Sequence, residues 1–264
     1  MSLNQHDYPI LEFDADPQAI IDPFAVLKPL DTMPEACVLC FFQDVIVNVC
    51  GDGRAQQIGT LGSEIGRNPI YALDVRPEDG HRTGQVAVVH PGVGAPLAAG
   101  FLDELIALGA RKFIVCGGAG VLDRSIVIGH LIVPTLAVRD EGTSYHYLPP
   151  AREVAASVKA VAAIEATLQV HDIPYITGKT WTTDAIYRET RRKIIHRRNE
   201  GCITVEMEAA AFFAVAQFRD VVLGQLLYGG DDVSGDVWDS RGWHRQESTR
   251  ARVFWLAAEA ALRL

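Results

Sequence analysis

Two carboxylates flank a methionine in Thr204-Val-Glu-Met-Glu-Ala-Ala-Ala211, where a β-branched run gives way to an alanine-rich one. If that junction is a strand end followed by a helix, Glu206 and Glu208 face the crevice in which α/β proteins bind ligands. A carboxylate there accepts two hydrogen bonds, which suits the adjacent 2′ and 3′ hydroxyls of a ribose. The same letters also suit a plain helix N-terminus, where acidic residues are favoured by the helix dipole. Residue chemistry alone leaves both readings open.

One helix and one strand later comes Leu226-Leu-Tyr-Gly-Gly-Asp231-Asp232, with Asp231 expected just outside the carboxyl edge of a sheet. Cleaving an N-glycosidic bond builds oxocarbenium character on the sugar and negative charge on the departing base. A partly buried, protonated Asp231 could deliver a proton to that base. The alternative is a turn aspartate near solvent, a role that Asp232 and Asp236 fit better. The run from Asp231 to Asp236 is no calcium loop, since it lacks both the glycine position and the terminal glutamate.

Two glycine-rich segments could hold an anion or sugar oxygens on backbone N–H groups. Val89-His-Pro-Gly92-Val-Gly94-Ala-Pro96 lies between a strand and a helix, and Cys116-Gly117-Gly118-Ala-Gly120 follows another strand. The second lacks the dinucleotide spacing G-x-G-x-x-G and leads into the strand-like SIVIGHLIVP. No G-x-S-x-G elbow of a serine hydrolase occurs. Cys37 and Cys40 read as C-x-x-C, but ACVLCFF looks like a buried strand and no second pair follows. A zinc site is therefore not expected, and the five cysteines read as reduced thiols.

The elements that must position these groups alternate. Apolar runs at Ala36–Phe42, Gln85–His90, Lys112–Cys116, Ile126–Pro134, Ile173–Gly178, Cys202–Val205 and Val221–Tyr228 read as strands. Leu97, Phe101, Leu102, Leu105 and Leu108 repeat on one helix face and stop at Gly109. Val154, Val158, Val161 and Leu168 repeat the pattern, Ala209 to Phe218 forms a third helix, and Arg245 to Leu264 a closing one. The expected fold is a single-domain, three-layer α/β/α sandwich with a mixed central sheet. Residues 1–35 read as an extended N-terminal arm, and residues 36–264 as the catalytic domain.

With 264 residues, 48% hydrophobic, the chain can bury one large core. A net charge of -9 argues against a nucleic-acid partner. The basic cluster from Arg188 to Arg198 reads as a solvated helix face. The N-terminus lacks a basic start before an apolar run, and no stretch is long enough to span a membrane, so a cytoplasmic protein is expected.

Together these segments resemble the nucleoside phosphorylase superfamily, which includes purine nucleoside phosphorylase, uridine phosphorylase and methylthioadenosine nucleosidase. The resemblance spans roughly residues 85 to 264 and rests on VEMEAAA, the Asp231 strand end, HPGVGAPLAAGFLDEL and GKTWTTDAIYRET. It implies that Met207 and Glu208 hold the ribose, with Glu206 at the pocket edge, and that Asp231 is the general acid of purine-cleaving branches. It implies that Thr183, Ile186 and Tyr187 line the base pocket beside the glycine segments that include Gly94 and Gly118. Arg192 falls where the uridine-specific branch reads its pyrimidine, while Thr190 replaces that branch's glutamine.

The departures concern the second substrate. Phosphorolytic relatives carry a G-D-P-x-x-R loop after the first strand, where this chain has Phe41-Phe-Gln-Asp44. Val115 stands where phosphorylases place an arginine, and Gly118 replaces a hydroxyl residue. Phosphate ordinarily needs charge-assisted donors; the resemblance leaves the Gly92 N–H and Arg67 for it, Arg67 matching an arginine that relatives contribute across a subunit interface. The resemblance thus implies a pentosyltransferase, a nucleoside phosphorylase forming ribose 1-phosphate and a free, purine base. It also implies inorganic phosphate as co-substrate, no cofactor or metal, and a homo-oligomer, dimer or hexamer. A hydrolytic nucleosidase, a uridine phosphorylase-like specificity and a non-catalytic nucleoside-binding protein are the alternatives.

Overall fold

A computed structural model describes residues 5–51, 53–77, 80 and 82–264. After a short helix α1 (Pro23–Val26) come β1 (Ala36–Cys40), α2 (Gln43–Cys50), β2 (Ala55–Ser63), β3 (Gly66–Val75) and β4 (Gly84–Val89). The chain continues through α3 (Ala95–Leu108), β5 (Lys112–Val121), β6 (Leu131–Asp140), β7 (Glu153–Ala155) and α4 (Val158–Val170). It closes with β8 (Tyr175–Thr183), α5 (Arg191–Asn199), β9 (Cys202–Glu206), α6 (Ala209–Phe218), β10 (Val222–Asp232) and α7 (Glu247–Leu262).

The ten strands form one mixed sheet covered on both faces. Side-chain parity along β1 shows why its sequence is apolar throughout. Ala36, Val38 and Cys40 pack with α2, α4 and α7 on one face, while Cys37 and Leu39 pack with α3 and α6 on the other. The three-layer α/β/α sandwich with a mixed sheet is thus the observed fold. All five cysteines are buried, and none is joined in a disulfide among the described residues.

The sheet departs from a simple open one. β10 pairs in parallel with β5 and antiparallel with β6. β6 pairs with β8, β8 with β9, and β9 returns to the end of β5 through Gly120 and Val205. These five strands close a ring filled by Ala119, Val121, Ile132 and Leu227. The rest of the sheet continues from β5 through β1, β4 and β3 to the edge strand β2.

Helix α3 keeps the predicted apolar face and ends at Gly109, whose φ of 125° suits a residue without a side chain. Several expectations are corrected. Gly117, Gly118 and Gly120 lie within β5 rather than in a turn after it, because ring closure draws the strand on to Val121. Ile126 precedes β6, which starts at Leu131, and Val154 belongs to β7 rather than to α4. Asp231 lies within β10, whose pairing with β5 resumes at Asp232. The sequence reading passed over the β2–β3 hairpin and α2, although Val45, Ile46, Val49 and Cys50 of that short helix face the core.

The basic segment α5 is only partly a solvated face. Arg197 is 8% exposed, bonded to Asp140 and Glu200 and stacked over Trp181. The described part of the arm, residues 5–35, is mostly exposed, with residues 1–4 outside the described region. Leu27, Leu30 and Met33 nonetheless dock on the α3 side of the core. Among the described residues no helix is long and apolar enough to cross a membrane.

Candidate active site

A cavity of about 310 Å³ opens where β1, β5, β9 and β10 end. Glu206, Met207 and Glu208 form one wall, at the turn from β9 into α6. Asp231, Ile186 and Glu189 line it, as do Gly118 and Gly120 of β5. The cavity is completed by Phe41, Phe42, Tyr228, Trp243 and Arg250.

The two glutamates are buried but differently bonded. Glu206 accepts from the Thr182 hydroxyl at 2.6 Å and from the backbone N–H groups of Glu208 and Ala209 at 2.8 and 2.6 Å. It therefore satisfies the N-terminus of α6, the plainer of the two readings of this motif, while still lining the cavity. Glu208 instead accepts from the Gly94 N–H at 2.6 Å, across the crevice. Burial holds both carboxyls above the usual range, and for Glu208 the Glu206 charge adds to it. A ligand that offered hydroxyl donors to Glu208 would relieve that penalty.

Asp231 is half-buried, and its Oδ2 accepts from the Trp238 indole N–H at 2.7 Å. Its neighbour Asp232 is not a solvent-facing turn residue. It is 2% exposed, accepts from the Ser234 N–H and pairs with Arg241 at 2.7 Å. Asp236 does face solvent, with a side chain 89% exposed.

The other sequence-predicted residues divide. Ile186 and Gly118 line the cavity, and a Cβ at Gly118 would sit 3.1 Å from the Tyr228 ring. Gly94 serves through its N–H to Glu208. Thr183 is buried at the end of β8 and bonds its own loop at Ala185. Tyr187 and Arg192 are exposed and stand outside the lining. Gly92 turns its N–H to His90 Nδ1 at 3.1 Å and stands outside the lining. Arg67 is exposed on β3, paired in register with Gly62 at the hairpin end, and does not reach this cavity. Val115 is fully buried in the core.

Glu189, Phe41, Phe42 and Arg250 are among the lining residues that were missed. Glu189 sits inside the quoted GKTWTTDAIYRET segment, so its acidity was a readable signal. Phe41 and Phe42 were visible as an apolar pair just after β1. Arg250 gave no local signal, because it reaches the cavity from α7, stacked over Phe42 and Trp243 and bonded to Asp44. Among the described residues no group of three or more His, Cys, Asp or Glu is placed to hold a metal ion.

Comparison with known proteins fits this arrangement. The family model of the phosphorylase superfamily matches residues 79–258. The guanosine phosphorylase of Halorubrum lacusprofundi is 26% identical, over 72% of this chain and 80% of that protein. The uridine phosphorylase of Thermococcus kodakarensis is 29% identical, over 65% of this chain and 66% of that one. Among solved structures, AMP nucleosidase from Bacteroides thetaiotaomicron superposes with a TM-score of 0.69 at 22% identity, covering 88% of each chain. The chain therefore belongs to the phosphorylase superfamily, and within it is an enzyme.

Proposed function

We propose that the chain cleaves the N-glycosidic bond of a purine ribonucleoside with phosphate, giving free base and ribose 1-phosphate. The observation that carries this reading is that Glu208 and Asp231 line one cavity, from different elements. Glu208, with Met207, grips the ribose diol, and the carboxyl of Asp231 meets the departing base. Ile186 covers the base face. The names of the relatives, guanosine and uridine phosphorylase, support phosphate as the second substrate. An acid at Asp231 favours a purine, whose ring nitrogen takes a proton, over a pyrimidine read by Arg192.

Hydrolysis is the second reading, and a specific observation favours it. Neither Arg67 nor the Gly92 N–H faces the cavity, and Val115 is sealed in the core. Phosphorolysis in this chain then relies on Arg250, or on Arg67 of a second copy in a homo-oligomer. Base release from inosine, guanosine, adenosine and uridine, with and without phosphate, tests both. Turnover without phosphate rejects the phosphorylase, and no release under either condition rejects both. A soluble, cytoplasmic enzyme needing no cofactor completes the proposal.

A further inference from the structure

Glu189 lies between a single helical turn at Ile186–Arg188 and the start of α5, half-buried, and lines the cavity together with Asp231 of β10. The two carboxyls are not equivalent. The Trp238 indole can only donate, so its 2.7 Å bond occupies the Asp231 Oδ2 as an acceptor. Glu189 accepts no comparable bond among the described residues; what acts on it is burial, the Asp231 charge and, in the opposite sense, Lys193 of α5. Lys193 is itself engaged by Asp140 at 3.2 Å. The remaining charged groups of the cavity are Glu206 and Glu208, at the start of α6, and Arg250 of α7.

Two neighbouring carboxyls do not both ionise readily, and Glu189 is the one without a donor among the described residues. We propose that Glu189 is a further catalytic residue, holding the proton that the departing base takes, with Asp231 lining the same cavity as the acceptor of the Trp238 bond. This rests on the function proposed above and sharpens it, since Asp231 alone was the expected acid. As the C1′–N bond breaks, its electron pair goes to the base, and the Glu189 proton moves to a ring nitrogen of that base. A phosphate oxygen bonds to C1′, and the proton the new ester sheds restores Glu189. Burial and the Asp231 charge push Glu189 up to about 7, so the acid is present at neutral pH and is lost above it.

The test compares a purine nucleoside with 4-nitrophenyl β-riboside, whose leaving group needs no proton. Glu189→Gln should cut kcat for the purine nucleoside by about a hundredfold and spare the nitrophenyl substrate within about threefold. The wild-type purine profile should be flat below pH 7 and fall above it, and Glu189→Gln should lose that limb. Carboxyl ¹³C titration of the free protein, with Glu189 identified by difference against Glu189→Gln, should show it titrating near 7. In Asp231→Asn that titration should move to lower pH. Equal losses on both substrates, an unchanged pH limb, or a Glu189 that titrates like an ordinary glutamate would overturn the inference even in an active enzyme. Failure of the wild type to release any base rejects the function instead, while the titration still reports whether the acid pair exists.

Discussion

The backbone N–H of Gly94 donates to the Glu208 carboxylate across 2.6 Å, joining residues 114 positions apart. Gly94 has a φ of 90° and starts α3, so this bond locks the glycine turn of one βα unit against the carboxylate of another. One Glu208 oxygen is held while the side chain still lines the cavity. That is the geometry expected of a group that orients a diol rather than of a mere surface charge.

Glu208→Ala should therefore weaken ribonucleosides more than 2′-deoxyribonucleosides, by about tenfold in kcat/KM, the worth of one charge-assisted hydrogen bond. Steady-state kinetics on a ribo/deoxyribo pair decides it. Equal losses would remove Glu208 from the 2′ hydroxyl.

Asp231→Asn should lower purine nucleoside cleavage by about a hundredfold, because the carboxyl pair at the base loses one member. Unchanged turnover across pH 5 to 9 would place Asp231 outside the mechanism.

Glu206 carries a structural load that Glu208 does not. Glu206→Ala leaves the Glu208 and Ala209 N–H groups and the Thr182 hydroxyl without their shared acceptor. Unfolding in urea should show a loss of about 2 kcal/mol, the upper range for removing a helix cap. A variant of native stability with a raised nucleoside KM would reverse the assignment.

Arg250 is the cationic side chain in the lining and has a buried Nε without a partner. If phosphate is the nucleophile, Arg250→Met should raise the phosphate KM by about tenfold or more and leave the nucleoside KM within about twofold. A phosphate KM that does not move would shift the weight to a neighbouring subunit's Arg67, which Arg67→Ala tests directly.

What the sequence made legible follows from how local each signal is. Helix α3 and its stop at Gly109 could be read because a 3.6-residue period and a terminal glycine are written within fifteen residues. That Glu208 and Asp231 share a cavity was readable because each lies near the C-terminal end of a strand in one sheet. The extension of β5 through its glycines was not, since that strand is completed by β9 and β10, far along the chain. Asp232 looked like a turn residue because its partners Arg124 and Arg241 come from other loops. Arg250 was invisible for the same reason, since only packing of α7 against the β1 side brings it to the cavity.

The five-strand ring has a kinetic corollary. β10 is the last strand made, yet it must insert between β5 and β6, which precede it by roughly a hundred residues. Contacts of such separation close slowly, because loop entropy is spent before they form. On dilution from denaturant, the α3 and β1 core should therefore regain its far-UV signal before β10 docks. Until that strand is seated, Asp231 has no cavity to face, so recovery of activity should lag behind recovery of helix.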